Sequence, residues 1–249
     1  QARAGLRAGH DAVLLSASVP VRRQGPAERL IDVGAGAGLV GLAAAMRAPG
    51  LEVTLLEIEP ELAALATRNA AMNGLSPRTR VVVADVSAAW SELAATGLAT
   101  AQFDHAAANP PYETHGRGTP PPDPLRARAN VMTAEGLDDW ARLLAAVVKP
   151  GGTVTVIHRA DALPRLLSAF GGRFGGLTVL PLFPAHERPA HRLLLHGIKG
   201  SRAPLTLHRG FVLHDADGKP SADIQAVLAG EATIDIVRGR VATHESPAS

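Results

Sequence analysis

The chain has 249 residues, of which 46% are hydrophobic, so it can bury the core of one large domain or of one domain with a short extension. It contains no cysteine, which excludes disulfides and thiolate zinc sites, and no apolar run reaches the roughly 18 to 20 residues that span a membrane. The net charge of +2 does not by itself indicate a nucleic-acid partner, and the composition predicts a soluble, cytoplasmic protein without a membrane partner.

The first two thirds of the chain alternate short apolar runs with helical patterns. Several runs are apolar on both faces, which is typical of parallel strands covered by helices on both sides. The helical patterns between them begin or end at proline and glycine, as helices commonly do. The alternation predicts an α/β fold with a Rossmann-like, doubly wound sheet. The predicted strands are residues 30–33, 53–57, 80–84, 103–108 and 153–158, and the predicted helices are 39–48, 60–74 and 137–148.

Two further apolar runs, residues 177–183 and 192–199, follow with only a loop between them. That loop is too short for the helical crossover that joins two parallel strands, so the runs predict an antiparallel hairpin at the end of the sheet. The sequence shows no internal repeat and no coiled-coil pattern, which favours a single domain.

The first predicted strand runs directly into the loop DVGAGAGLVG. Its glycines at Gly34, Gly36 and Gly38 allow a tight turn and a close approach of the backbone to a ligand. The glycines from Gly36 to Gly41 also fit a dinucleotide fingerprint, so a nicotinamide cofactor stays open. Asp32, two positions before the first glycine, suits the ammonium group of S-adenosylmethionine better than a pyrophosphate, which a carboxylate repels.

Acidic residues also follow the second and third predicted strands. Glu57 ends the second strand, where a carboxylate can accept both ribose hydroxyls of a nucleoside. Asp85 ends the third strand, with Val86 beside it, and can accept a hydrogen bond from an adenine amine. Each acid alone is typical of a surface or a helix cap, but acids at three successive strand ends share the edge where such sheets bind ligands.

The fourth predicted strand stops at Asn109, Pro110, Pro111 and Tyr112, and Tyr112 is the only tyrosine in the chain. Together with the glycine loop and the acidic strand ends, this NPPY sequence resembles the class I S-adenosylmethionine-dependent methyltransferases. Within them it is similar to the motif of enzymes that methylate a planar exocyclic nitrogen on adenine, guanine or a glutamine amide. The resemblance covers residues 30–199 and implies seven strands with the last antiparallel, S-adenosylmethionine as the cofactor, and no metal.

The chemistry of an exocyclic amine explains this motif. The adenine amino group is a poor nucleophile because its lone pair is delocalised into the ring, so the site must favour a pyramidal nitrogen. The side-chain oxygen of Asn109 and the carbonyl of Pro110 can each accept one N–H. The prolines fix the backbone that holds these acceptors, and Tyr112 offers a flat face on which an extruded base can stack. The alternative interpretation is a proline-stiffened turn with a packing tyrosine.

Arginines after the motif are candidate substrate contacts. A proline- and glycine-rich segment carries Arg117, Arg126 and Arg128 and is interpreted as a substrate lid, or alternatively as an ordinary loop. Between residues 186 and 209, five basic residues accompany the single acid Glu187, which is typical of either a phosphate-contacting face or a solvated surface. These residues are the candidate RNA contacts Arg188, Arg192 and Arg202, with Lys199 and Arg209 in the same segment.

The two ends of the chain narrow the substrate. Residues 1–15 and 199–231 resemble the bacterial tRNA(Val) adenine-N6 methyltransferases, which modify the adenine beside the anticodon. This resemblance implies that an initial helix closes over the cofactor, with His10 and Asp11 near its methionine end, and that the basic segment 200–231 holds tRNA by its phosphates. It extends the domain to residues 1–231 and leaves residues 232–249 without an assigned role.

Other functions stay open. NPPY also occurs in protein-glutamine N5-methyltransferases and in enzymes that methylate guanine N2 of rRNA or adenine N6 of DNA. No separate helical domain for recognising a release factor is visible before residue 30, which counts against the glutamine alternative. A nucleoside-binding module without catalysis would retain the fold alone. The sequence is compatible with a monomer and with a homodimer.

Overall fold

The structure is a computed structural model that describes residues 6–112 and 136–243, with side chains from residue 9 onward. Its helices are α1 (Leu6–Ser18), α2 (Leu39–Arg47), α3 (Pro60–Met72), α4 (Trp90–Ala95), α5 (Gly136–Val147), α6 (Leu163–Gly171) and α7 (Ala222–Leu228). Its strands are β1 (Arg29–Val33), β2 (Glu52–Glu57), β3 (Thr79–Val83), β4 (Phe103–Ala108), β5 (Val148–Arg159), β6 (Phe174–Phe183), β7 (Arg192–Lys199), β8 (Thr206–Leu207), β9 (Phe211–Val212), β10 (Ala232–Asp235) and β11 (Arg240–Thr243).

The central sheet has the strand order β3-β2-β1-β4-β5-β7-β6. Strands β1 to β5 pair in parallel, and β7 is antiparallel to both β5 and β6. The predicted α/β fold, with a Rossmann-like doubly wound sheet and an antiparallel seventh strand, is therefore confirmed. The predicted closing hairpin is the pair β6 and β7.

Two short strands that the sequence analysis did not predict extend this sheet to nine strands. After β7 the chain turns back, and β8 and β9 pair in parallel with β6. The turn passes so close to Gly175 that an added Cβ would lie 2.0 Å from the Ser201 carbonyl oxygen. Only glycine permits this approach, so the position of the segment after β7 depends on Gly175.

Helices cover both faces of the sheet, as the apolar strands predicted. One buried cluster joins α1, α2 and α3 to α7 and β10, and the other joins α4, α5 and α6 to the opposite face. Ile234 and Ile236, in the hairpin of β10 and β11, are 3% and 1% exposed and belong to the first cluster. Residues 232–243 therefore contribute to the core that α1 also covers.

Within the described residues, no helix is long and apolar enough to cross a membrane. The same part of the chain contains no group of three or more histidine, aspartate or glutamate side chains that could hold a metal ion.

Candidate active site

The carboxyl ends of β1, β2, β3 and β4 lie side by side because these strands are neighbours in the parallel part of the sheet. The glycine loop follows β1, Glu57 ends β2, Asp85 lies two residues after β3, and Asn109 follows β4 directly. The edge of the sheet therefore brings together the residues that the sequence placed at four strand ends.

The glycine loop has the backbone geometry that its sequence predicted. Gly34, Gly36 and Gly38 have φ angles of 67°, 56° and 88°, which lie in the left-handed region. A Cβ at Gly34 would lie 2.4 Å from Trp140 Cη2, and one at Gly38 would lie 2.9 Å from Leu55 Cδ1. Among the residues that the structure describes, a Cβ at Gly36 would meet nothing within 4 Å. Gly34 and Gly38 therefore fit the loop against the core, whereas Gly36 faces open space that a ligand can fill.

This difference predicts opposite effects for two alanine substitutions. Gly34→Ala should lower the melting temperature markedly because its Cβ overlaps the buried Trp140 ring, whereas Gly36→Ala should cost only about 1–2 kcal/mol of backbone strain. Gly36→Ala should instead weaken S-adenosylmethionine binding, because its methyl group occupies the open face of the loop. Thermal unfolding and calorimetric titration of both variants measure the two effects. Wild-type affinity in folded Gly36→Ala would show that the cofactor does not approach this loop.

Asp32 connects the end of β1 to the first turn of α2. Its side chain is 1% exposed, and Oδ2 accepts a hydrogen bond of 2.9 Å from the Gly41 amide in the first turn of α2. Burial raises the pKa of this carboxyl to about 7, against the lowering effect of the Gly41 hydrogen bond. Its Oδ2 satisfies an amide that the helix itself leaves unpaired, and the contact of Asp32 with the cofactor's ammonium group stays a prediction. Asp32 therefore fixes the glycine loop to α2.

Glu57 holds the loop from the neighbouring strand. Its Oε2 accepts from the Gly36 amide at 2.6 Å, and its Oε1 accepts from the amides of Ile58 and Glu59 at 3.0 Å each. The Glu57 side chain is buried, beside the open face of Gly36. It is therefore positioned to accept hydrogen bonds from the hydroxyls of a nucleoside that lies against the loop.

The adenine end of the predicted cofactor site is more open. Asp85 is exposed, and its Oδ1 accepts from the amide and hydroxyl of Ser87 at 2.8 Å each. Val86 is half-buried against the apolar cluster under α5. Ile58, which sequence reasoning did not select, is 50% exposed directly after Glu57 and offers an apolar face for a base. Its position directly after Glu57, the acid at the end of β2, was the feature of the sequence that could have indicated Ile58.

The NPPY motif is held by contacts from distant parts of the chain. The Tyr112 hydroxyl lies 3.1 Å from Asn109 Oδ1 and 3.0 Å from Asp11 Oδ2, and its single proton can serve one of them at a time. Burial raises the pKa of Tyr112, and the nearby Asp11 carboxylate raises it further. Pro110 is buried, and Asn109 and Pro111 are half-buried. Tyr112 is therefore a neutral hydrogen-bond donor at physiological pH.

Arg192 and Asp11 complete this site. Arg192 Nε donates to Asp11 Oδ2 at 2.9 Å, and the guanidinium carbon lies 4.7 Å from the centre of the Tyr112 ring. The structure thus brings together Asp11, Asn109, Tyr112 and Arg192, for which the sequence predicted separate roles: Asp11 near the cofactor, Asn109 and Tyr112 at the amine, and Arg192 at RNA phosphates. His10, the other predicted residue of α1, is half-buried beside Asp11 in the chain.

His158, at the end of β5, was missed by the sequence analysis. Its ring meets the Tyr112 ring edge to face, with centroids 5.0 Å apart and planes at 82°. Both ring nitrogens are buried and have no hydrogen-bond partner among the described residues, and burial lowers the pKa of His158 to about 4. The ring is therefore neutral at physiological pH and restricts the orientation of Tyr112.

The predicted basic face is divided between two ends of the sheet. Arg188 is exposed in the loop before β7, at the edge that carries NPPY. Arg202 is exposed after the other end of β7, a strand that spans about 24 Å at about 3.4 Å per residue. Lys199 donates to the carbonyl oxygens of Ala145 and Val148 at 2.6 and 2.7 Å and is engaged within the fold. The three arginines of the predicted lid, Arg117, Arg126 and Arg128, lie outside the described residues.

Comparisons with known proteins agree with this geometry. The family model for the methyltransferase small domain matches residues 11–120. A tRNA1(Val) (adenine(37)-N6)-methyltransferase from Shewanella loihica is 32% identical over 232 residues, which cover 90% of this chain and 90% of that protein. A protein of the same name from Dickeya chrysanthemi is 26% identical over 90% of this chain and 87% of its own length. A release factor glutamine methyltransferase from Chlorobaculum tepidum is 27% identical over 61% of this chain and 52% of its own length.

The fold is shared with solved methyltransferase structures. The crystal structure of a predicted O-methyltransferase from Agrobacterium tumefaciens matches with a TM-score of 0.72 and 30% identity, over 88% of this chain and 95% of that chain. A geranyl diphosphate C-methyltransferase from Streptomyces coelicolor, solved with S-adenosyl-L-homocysteine, matches with a TM-score of 0.52 at 14% identity, over 76% of this chain and 75% of that chain. The chain contains a methyltransferase small domain and belongs to the S-adenosylmethionine-dependent methyltransferases.

Proposed function

We propose that this enzyme transfers a methyl group from S-adenosylmethionine to the exocyclic N6 of an adenine in tRNA, beside the anticodon of tRNA(Val). The observation that carries the proposal is the position of Asn109 and Pro110, which place two hydrogen-bond acceptors directly after β4, one strand from the glycine loop. The names of the relatives from Shewanella and Dickeya support the same substrate.

The acceptors act on the amine while the nitrogen is attacking the methyl group. Asn109 Oδ1 and the Pro110 carbonyl oxygen each accept a hydrogen bond from one N–H of the amine. These two hydrogen bonds favour a pyramidal nitrogen, whose lone pair is no longer delocalised into the ring. Bound S-adenosylmethionine supplies an already activated methyl group, so holding the amine in line with it provides much of the catalysis. The Tyr112 ring stacks on the extruded base and sets its plane.

The Tyr112 hydroxyl can change its hydrogen-bond partner when the amine binds. The Tyr112 hydroxyl lies within hydrogen-bond distance of Asn109 Oδ1, which is the oxygen that the amine requires. Asp11 Oδ2 is the other oxygen near this hydroxyl, at 3.0 Å. When the amine binds, the hydroxyl can donate to Asp11 instead, so Asn109 is released without leaving the hydroxyl unpaired.

The RNA backbone is proposed to lie along the edge of the sheet that carries NPPY. Arg188 precedes β7 at this edge, and the exposed Arg209 precedes β9, which pairs with the last residues of β6 at the same edge. Arginine contacts to phosphates would position the anticodon stem-loop without reading its sequence. The predicted lid arginines lie next to NPPY in the chain and remain proposed contacts of the same backbone.

The division of the basic residues predicts which arginines bind RNA. Arg188→Ala and Arg209→Ala should each weaken tRNA binding and reduce the slope of log affinity against log salt by about one, because each lost phosphate contact releases one counterion fewer. Arg202→Ala, at the opposite edge, should have the smaller effect. Binding titrations at several salt concentrations measure both quantities. A larger loss in Arg202→Ala would place the RNA across the opposite edge.

A second candidate function is protein-glutamine N5-methylation. It is favoured by the 27% identity to a release factor glutamine methyltransferase and by the planar amide nitrogen, which needs the same acceptors. The two functions separate when the enzyme is given labelled S-adenosylmethionine together with tRNA and a release factor. The tRNA proposal predicts label in the nucleic acid alone, and label in a protein glutamine would replace it.

The proposed functional unit is one domain of residues 1–231 acting in the cytoplasm, where tRNA is available. The buried side chains of Ile234 and Ile236 support adding the hairpin of residues 232–243 to that unit. Truncating the chain after residue 231 would then remove part of the core under α1.

A further inference from the structure

Arg192 occupies a place that an RNA-phosphate contact would not need. Its side chain is 18% exposed, and the Asp11 side chain that holds it is 11% exposed. Burial opposes the charge of the guanidinium, but Tyr112 and Asp11 raise the pKa of Arg192 above its ordinary value. The charge is therefore retained in a largely buried position against the face of the only tyrosine in the chain.

The backbone around Arg192 is fixed by strand pairing on both sides. Arg192 pairs with Arg159 at the end of β5 and with Leu182 near the end of β6. The side chain projects from this fixed point to Asp11 and over the Tyr112 ring. Movement of the guanidinium away from the ring therefore requires only rotation of its side chain, and the sheet can stay unchanged.

The distance between the guanidinium and the ring is too short for anything to lie between them. A base inserted there needs about 3.5 Å of separation on each side, or about 7 Å in total, whereas the guanidinium carbon is 4.7 Å from the ring centre. A planar guanidinium stacks on a base as readily as on an aromatic ring. Withdrawal of Arg192 by about 2 Å would therefore convert a cation–π pair into a slot with two stacking walls.

We propose that Arg192 is the second wall of the base slot: the extruded adenine enters between the Tyr112 ring and the Arg192 guanidinium, and Asp11 stays hydrogen-bonded to Arg192 while the guanidinium turns away from the ring. This inference rests on the proposed adenine substrate and adds the residue that faces Tyr112. Without a base, Arg192 covers the Tyr112 ring and the Tyr112 hydroxyl lies against Asn109. The slot and the Asn109 oxygen are then blocked at the same time. When a base is bound, the base replaces Arg192 on the Tyr112 ring, and the amine replaces the Tyr112 hydroxyl at Asn109. Asp11 remains the hydrogen-bond partner of Arg192 and of the Tyr112 hydroxyl.

The slot predicts a specific defect for Arg192→Lys. Lysine keeps the positive charge but loses the flat surface, so kcat/KM for an unmodified tRNA(Val) transcript should fall by about 10- to 100-fold through KM, the size of one lost stacking contact. The slope of log affinity for tRNA against log salt concentration should stay at its wild-type value, because no phosphate contact is removed. Arg238→Lys, on the exposed hairpin between β10 and β11, is the matched control and should behave as the wild type.

Asp11→Asn tests the positioning role separately. Asparagine can still accept a hydrogen bond from Arg192 but loses the charge attraction, so the rise in KM should be smaller than in Arg192→Lys, with little change in kcat. A fall in kcat with KM unchanged would overturn this role for Asp11. Thermal unfolding of each variant identifies loss of activity that comes from loss of the fold.

Tyr112 provides a readout that does not depend on activity. Because it is the only tyrosine, selective ¹³C labelling gives NMR signals from one ring alone. Addition of the transcript should shift these signals in the wild type, and Arg192→Lys should need a higher concentration for the same shift. Wild-type KM and wild-type titration curves in Arg192→Lys, or a reduced salt slope, would overturn the slot. If the wild-type enzyme methylates no adenine in the transcript, the proposed function fails, whereas adenine methylation with an unaffected Arg192→Lys removes only this inference.

Discussion

Asn109→Ala is expected to lower the methyl-transfer rate by about 10²- to 10³-fold while leaving the affinities for S-adenosylmethionine and tRNA nearly unchanged. The Asn109 oxygen contributes most when the amine pyramidalises, so its removal affects the transition state more than the bound substrate. Within the described residues, Asn109 Oδ1 lies 3.1 Å from the Tyr112 hydroxyl, which also lies 3.0 Å from Asp11 Oδ2. The loss of Asn109 therefore leaves that hydroxyl with an acceptor, and the fold should be retained. Single-turnover rates at saturating tRNA, with separate binding titrations, measure the two effects.

The matched control is Asn109→Asp. Aspartate keeps an acceptor oxygen at the same position, so it should recover most of the rate that alanine loses. If Asn109→Ala transfers methyl groups at the wild-type rate, the NPPY motif serves only as a stiff turn. If it loses affinity for tRNA in proportion to its rate, Asn109 binds the ground state and has no special role in the transition state.

Glu57→Ala is expected to weaken S-adenosylmethionine binding by about 10- to 150-fold, which corresponds to about 1.5–3 kcal/mol for a lost charged acceptor. The buried Glu57 carboxylate accepts from the Gly36 amide and lies beside the open face of the loop. Its removal takes away the proposed acceptor for the ribose hydroxyls and one of the contacts that shape the loop. Calorimetric titration of the folded variant with S-adenosylmethionine measures the loss.

Two variants separate the causes of that loss. Glu57→Gln keeps one acceptor oxygen and should lose less affinity than alanine, whereas Asp85→Asn, at an exposed acid that accepts from its own turn, should change affinity least. Unchanged affinity in folded Glu57→Ala would remove Glu57 from the cofactor site. Tight binding of NAD by the wild-type protein would revive the dehydrogenase interpretation of the glycine loop.

The sheet could be predicted because its parallel strands are apolar on both faces and alternate with long helices. The edge residues Glu57, Asp85 and Asn109 followed from the strand ends, since ligand positions in such sheets depend on topology. α4 (Trp90–Ala95) was not predicted because six residues are too few to show a helical period. β8 and β9 were not predicted because each has two residues, and their pairing depends on the space left by Gly175.

Side-chain orientation at the site could not be predicted from local sequence. Asp32 is two residues from Gly34, but the fold directs its carboxyl to the Gly41 amide. Arg192 contacts Asp11 across a separation of 181 positions, and this contact exists only because β7 returns antiparallel beside β5. The density of basic residues in the sequence grouped Arg192 with Arg188 and Arg202 as candidate RNA contacts. That density does not show at which end of a strand each residue lies.

The central claim is that the methyl acceptor is the exocyclic nitrogen of an adenine. The direct measurement is mass spectrometry of nucleosides from an unmodified tRNA(Val) transcript incubated with the enzyme and S-adenosylmethionine that carries a labelled methyl group. We expect labelled N6-methyladenosine, located beside the anticodon by analysis of ribonuclease fragments, and almost none when Asn109→Ala replaces the wild type. Label in a methylguanosine, on a ribose 2′ oxygen or on a ring nitrogen of adenine would contradict it.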